Sequence, residues 1–242
     1  MLALARFLAD LAPHRRWEGA FRILVAASAL AVVILSPDDL TTMLAGPGED
    51  IFETLSVGLV LIGIALRVSA FGFQSVPDTA LKTHGAYSVL RHPVLVSDAL
   101  MGAGLIIGTQ VLWFIALGAP LVLALLATAA AIRDEETARA LGAIAADWRK
   151  QIPALIPDLS QWNTGGFEFS GRAALLRTMP ALFAGVAGLT ALEITHDVTV
   201  GAASWNFWPA DWDYYLAALA ASFMVIAADI LVARAGRLPD SA

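Results

Sequence analysis

The chain has 242 residues, of which 58% are hydrophobic and 15% charged, with a mean hydropathy of +0.71 and a formal net charge of −6. That balance excludes an ordinary soluble domain and predicts an all-α, polytopic integral membrane protein. There is no cysteine, which excludes disulfides, a thiolate nucleophile and any cysteine-ligated metal.

In chain order, residues 1–20 come first, with Leu4, Phe7, Leu8 and Leu11 at helical spacing opposite Arg6 and Asp10. They predict an amphipathic helix lying in the membrane interface. A cleaved signal peptide is disfavoured, because no small-residue cleavage site follows the first apolar run. Six apolar runs follow, at 21–36, 51–73, 94–108, 111–132, 174–192 and 215–233. A spanning helix needs about 20 residues, so the first and third must borrow flanking positions, tilt, or sit partly within protein. Only Thr109 and Gln110 separate the third run from the fourth. That spacing fits either a tight helical hairpin or one long bent run.

The basic residues fall on one side of this pattern. Arg6, Arg15 and Arg16 precede the first run, Lys82 and Arg91 follow the second, and Arg133, Arg139, Arg149, Lys150 and Arg172 follow the fourth. Arg234 and Arg237 follow the sixth, whereas 37–50 and 193–213 hold acids and no Lys or Arg. Positively charged loops stay cytoplasmic, so both termini are expected there.

Residues 83–93, Thr-His-Gly-Ala-Tyr-Ser-Val-Leu-Arg-His-Pro, place His84, Tyr87, Arg91 and His92 at the edge of the hydrocarbon. Pro93 suits a first helical position, which puts His92 at the cap of the next helix. The free N–H groups there would favour an anionic ligand group beside Arg91 and His92.

Among the charges within the runs, four lie in the second, third and sixth. Glu53 and Arg67 are near opposite ends of the second run and are expected to snorkel to the headgroups, although Arg67 could face the pocket near His92. Asp98 and Asp229 are expected to pair with neighbouring basic residues. Met101-Gly102-Ala103-Gly104 reads first as close helix packing.

After the fourth run, Ala138, Leu141, Ile144, Ala145 and Trp148 share one face of a predicted cytoplasmic amphipathic helix. Glu135 and Arg139, one turn apart, read by themselves as a surface ion pair. Residues 158–173 form a cytoplasmic connector in which Trp162, Phe167 and Phe169 graze the interface. Residues 174–242 form a two-span extension. Trp205, Trp208, Trp212, Tyr214 and Tyr215 make an aromatic belt, which is favoured over a metal site built from Glu193, His196 and Asp197.

Gly85-Ala86-Tyr87, Arg91-His92-Pro93, Glu135-Glu136 and Pro153-x-x-x-Pro157 occur in that order around the helical hairpin. This pattern resembles the membrane methyltransferases typified by isoprenylcysteine carboxyl methyltransferase and phospholipid N-methyltransferases. The resemblance covers roughly 60–157, within a membrane core of 21–157. It implies a cytoplasm-facing pocket for S-adenosylmethionine and a hydrophobic or lipid-like methyl acceptor. It also implies cofactor contacts from Gly85, Tyr87, His92, Pro93, Gly102, Gly104, Glu135 and Glu136, with Arg91, His92, Glu135 and Arg139 as the catalytic set. Leu95 and Ser97 stand where that family usually has Tyr and Gly. A nicotinamide-dependent membrane reductase, or a membrane transport or assembly protein without enzymatic activity, are the alternatives. The expected partners are the bilayer and the acceptor, with no nucleic acid.

Overall fold

A computed structural model describes residues 15–36, 47–73, 83–165, 168–199 and 212–235. The interfacial helix expected at 1–20 falls mostly outside the described residues, as do Lys82, Phe167, Trp205, Trp208 and Arg237. The described chain is all-helical. In order, its elements are α1 (Arg15–Leu35), α2 (Pro47–Gly72), α3 (Ala86–Val89), α4 (Pro93–Ile107), α5 (Leu112–Leu141), α6 (Ala143–Gln151), a 3-10 turn (Leu159–Gln161), α7 (Gly171–Thr199) and α8 (Trp212–Ala235). Among the described residues, three helices are long and apolar enough to cross a membrane: α2 from Ile51, α5 and α7.

The bundle is built around α4, whose most extensive partner is α2 and which also meets α1, α5 and α7. This explains its 15-residue length: ten of its residues, from Pro93 to Ile106, are buried in protein, so it does not need the length of a lipid-exposed span. Val25 and Val33 of α1, Ala99, Leu105 and Ile106 of α4, Val122 of α5 and Leu192 of α7 share one core. On the perimeter, Leu117, Leu121 and Leu123 of α5 are exposed, as a lipid-facing surface would be.

Small residues set the α2–α4 distance. A Cβ on Gly104 would stand 2.8 Å from the Ser56 carbonyl oxygen, while the Ser56 hydroxyl donates to the Gly104 carbonyl at 2.8 Å. The close packing expected of this motif is present. Gly104→Ala should therefore lower thermal stability by about 1–3 kcal/mol, since backbone must move to admit the methyl. Unchanged melting in detergent would show that the helices part freely.

Between α4 and α5 the chain makes a true hairpin. Gln110 turns it with φ 58°, and the Thr109 hydroxyl donates to the Ile106 carbonyl at 2.7 Å. The predicted cytoplasmic helix is different from expectation. Its first half continues α5 to Leu141, Gly142 breaks the axis at φ 56°, and α6 begins afresh. The single apolar face expected across 138–148 is thereby interrupted: Ala145 and Trp148 are buried, but Ile144 is 66% exposed.

Arg67 also departs from its expected role. It does not snorkel; its Nη1 meets Asp98 Oδ1 at 2.6 Å, both side chains buried, with the guanidinium over Phe71. Asp98 thus pairs with a basic residue as expected, whereas the side chain of Asp229 lies outside the described residues. At the opposite end of the bundle, Tyr215 donates to Glu53 at 2.7 Å, and the Trp212 indole donates to Asp197 at 2.8 Å. Tyr214 is exposed there and Trp212 is buried. His196 stands 3.7 Å from Asp197, and no group of three or more metal-ligating side chains occurs among the described residues.

Candidate functional site

The antiparallel hairpin brings the N-terminus of α4 and the C-terminal part of α5 to the same end of the bundle. His92 caps α4 and Pro93 occupies its first turn, as expected from the sequence. Asp134 of α5 then reaches both residues of the Arg-His pair: His92 Nε2 lies 2.9 Å from Asp134 Oδ1, and Arg91 Nη1 lies 2.9 Å from Asp134 Oδ2. Trp148 of α6 closes the group, edge-on to the His92 ring and beneath the Arg91 guanidinium at 5.7 Å.

The segment after α6 holds this arrangement from outside. The Arg91 N–H donates to the Pro153 carbonyl at 2.8 Å, and the Asp158 N–H donates to the Val89 carbonyl at 3.0 Å. Further along, the Gly85 N–H donates to the Asn163 carbonyl at 2.8 Å, and the Asn163 N–H donates to the Ser88 hydroxyl at 3.0 Å. Gly85 has φ 59°, and a Cβ there would collide with Phe73, so the turn requires glycine. Phe73 in turn receives Trp162 and Phe169 edge-on, at 5.7 and 5.2 Å between centroids. The stretch read as a connector is therefore one wall of the site.

Three buried donors in this group have no hydrogen-bond acceptor: Arg91 Nε, Arg91 Nη1 and Trp148 Nε1. Arg91 Nη1 is at ion-pair distance from Asp134, but its N–H bonds do not aim at that oxygen. Such orphaned donors are costly, and each calls for an explanation.

Burial holds the His92 imidazole below its ordinary value of 6.5, with Arg91 adding to the effect, while the hydrogen bond and charge of Asp134 oppose it without reversing it. At neutral pH the ring is uncharged. Its Nε2–H donates to Asp134, which leaves Nδ1 as the accepting nitrogen. The unfolded chain then binds the proton more readily than the folded one. The stability contributed by the neutral ring is full above about 6.5 and is lost as pH falls from there toward the lower folded-state value. Thermal unfolding followed between pH 7.5 and 5 should show this decline, and His92→Gln should flatten it.

The remaining sequence candidates separate. Tyr87 is half-buried on α3, and Pro93 is buried at the site. Glu135 and Arg139 pair with each other at 2.6 Å on the outer face, 65% and 72% exposed. Glu136 interacts with Arg133. Gly102 and Gly104 lie about 15 and 18 Å along α4 from His92, so they are not brought to it. The residue the sequence reading missed is Asp134.

Searches against protein-family models, curated proteins and solved structures return no match to this chain. The site therefore rests on its own geometry.

Proposed function

We propose that this chain is an integral membrane methyltransferase that uses S-adenosylmethionine to methylate a lipid-like or hydrophobic acceptor at the cytoplasmic membrane face. The observation that carries the reading is the set of orphaned donors on Arg91 and Trp148, beside the half-buried Asp134 carboxylate. A donor cluster next to an anion and an aromatic face suits a zwitterionic amino-acid moiety, with its carboxylate toward Arg91 and its cationic part toward Asp134 and Trp148. When bound, this cofactor supplies an electrophilic methyl group.

The protein's part is to hold the acceptor in line and keep water out. The Arg91 fork fixes an anionic group, and Asp134 fixes His92 in the tautomer whose Nδ1 accepts a proton. That proton acceptor serves an amine, hydroxyl or thiol; a carboxylate acceptor needs no base. The reading includes six crossings by α1, α2, α4, α5, α7 and α8 with both termini cytoplasmic. It is supported by the one-sided Lys and Arg pattern and by the clustering of Arg91, His92 and Asp134 at the basic end.

Calorimetric titration of the detergent-purified protein with S-adenosylmethionine, S-adenosylhomocysteine and NADPH tests it. Saturable binding of the first two is expected, and Arg91→Lys should weaken it at least about tenfold, because a point charge does not reproduce the planar fork. Binding of NADPH alone would move the reading to a reductase. Absence of all binding by folded protein would favour a non-enzymatic role.

A further inference from the structure

A second site lies deeper in the bundle. A pocket of about 130 Å³ is lined by Ala26 of α1, by Asp98, Met101, Gly102 and Leu105 of α4, and by Gly185 of α7. The α4 residues follow the i, i+3, i+4, i+7 spacing of one helix face, so the pocket runs about 10 Å along the axis. Its walls are apolar except at Asp98. Ile23 and Ala184 also line it and are exposed, which places its mouth on the perimeter of the bundle, where lipid would lie.

We infer that this pocket takes the hydrocarbon chain of a single-chain membrane amphiphile whose polar end carries N–H or O–H donors and rests against Asp98. The volume is close to that of a cavity of about 150 Å³ that stays dry and admits one benzene. It therefore has room for the end of one chain and none for a second chain or a bulky headgroup. Apolar walls favour that chain over water by the same argument. The polar end is selected by Asp98, the one charged group lining the pocket, whose carboxylate accepts hydrogen bonds and donates none. A carboxylate headgroup brings no donor to it.

Asp98 lies about 9 Å along α4 from His92 and about 120° round the helix, so the polar end of a chain seated here lies at the end of the pocket nearer the first site. This deepens the proposed function by assigning where the acceptor's apolar part sits, and it rests on that reading for the acceptor role alone. Ile23 and Ala26 of α1, and Ala184 and Gly185 of α7, lie outside the stretch that resembles the methyltransferases. They explain what the first and the penultimate helices add to the site.

The test uses the detergent-purified full chain and a long-chain primary amine with a photoreactive diazirine at the chain end, its adducts mapped by peptide mass spectrometry. Saturable labelling is expected on the peptides of Met101, Leu105 and Gly185, competed by the unmodified amine. Ala26→Trp should reduce it at least fivefold. Gly102→Val fills the pocket from α4 if the first variant does not fold, and Ala124→Trp on the exposed side of α5 should leave labelling unchanged. Non-saturable labelling spread over Leu117, Leu121 and Leu123 would overturn the pocket. Equal labelling by a fatty acid carrying the same diazirine would overturn the part given to Asp98. Cofactor binding is read separately: pocket labelling in protein that binds no S-adenosylmethionine overturns the acceptor role and leaves the lipid site, whereas cofactor binding without pocket labelling overturns the lipid site alone.

Discussion

Asp134→Ala is expected to destabilise the folded protein by about 3–5 kcal/mol and to weaken S-adenosylmethionine binding by more than tenfold, while Glu135→Ala costs less than about 1 kcal/mol. The difference follows from burial. Asp134 is 14% exposed and faces Arg91, 12% exposed, and His92, 6% exposed. Removing its carboxylate leaves a buried guanidinium with no counterion and a buried imidazole N–H with no acceptor. Glu135 faces only Arg139, and both are well hydrated. Asp134→Asn separates the two losses. It keeps an oxygen for His92 Nε2–H and removes the charge that Arg91 needs, so it should fall between wild type and Asp134→Ala in stability. It should also lower the His92 pKa further, because the Asp134 charge is one of the two effects that raise it. Thermal unfolding and cofactor titration on the three variants check this. Loss of cofactor binding in Glu135→Ala without loss in Asp134→Ala would mean that the acidic pair expected from the sequence, and not Asp134, serves the site.

Why Asp134, and not Glu135, comes to Arg91 and His92 is a matter of helical phase. Asp134, Glu135 and Glu136 are consecutive, and residue type does not distinguish them. The inward face of α5 does. Ala130 is buried, with Leu126 partly buried one turn before it and Asp134 one turn after it, whereas Glu135 lies about 100° further round. That ladder was present in the sequence but needed knowledge of which face is inward. In a membrane helix both faces are apolar, so hydropathy does not supply it. Other features were legible for local reasons. Pro93 and the polar cluster before it marked the start of α4, and the apolar runs marked the helices. Gly142 carried a stop signal, but the apolar spacing on either side of it hid the break. Pro153 and Pro157 entered the sequence pattern, but what residues 152–165 hold did not. Their contacts with Gly85, Val89 and Arg91 are backbone bonds across some 70 residues of chain, and the one with Ser88 runs from the Asn163 N–H to its hydroxyl; no helical or strand periodicity records them.

Asp98→Ala is expected to cost about 3–5 kcal/mol alone, and far less when combined with Arg67→Met. Both side chains are almost wholly enclosed, 7% and 6% exposed, between α2 and α4. Removing the carboxylate takes the counterion from an enclosed guanidinium, whereas removing both charges leaves a site that methionine can fill. The double-mutant cycle in detergent should therefore show a coupling of at least about 3 kcal/mol. A coupling near zero would show that water reaches the pair and screens it. The comparison also bears on why the pair persists. An apolar replacement of similar volume is often neutral or stabilising, so stability alone does not account for a buried ion pair. If the Arg67→Met/Asp98→Ala protein melts like wild type but no longer labels with the chain-end diazirine amine, the pair serves the ligand and the fold bears its cost. If it melts like wild type and labels equally, Asp98 only neutralises Arg67, and the pocket selects its ligand by apolar shape.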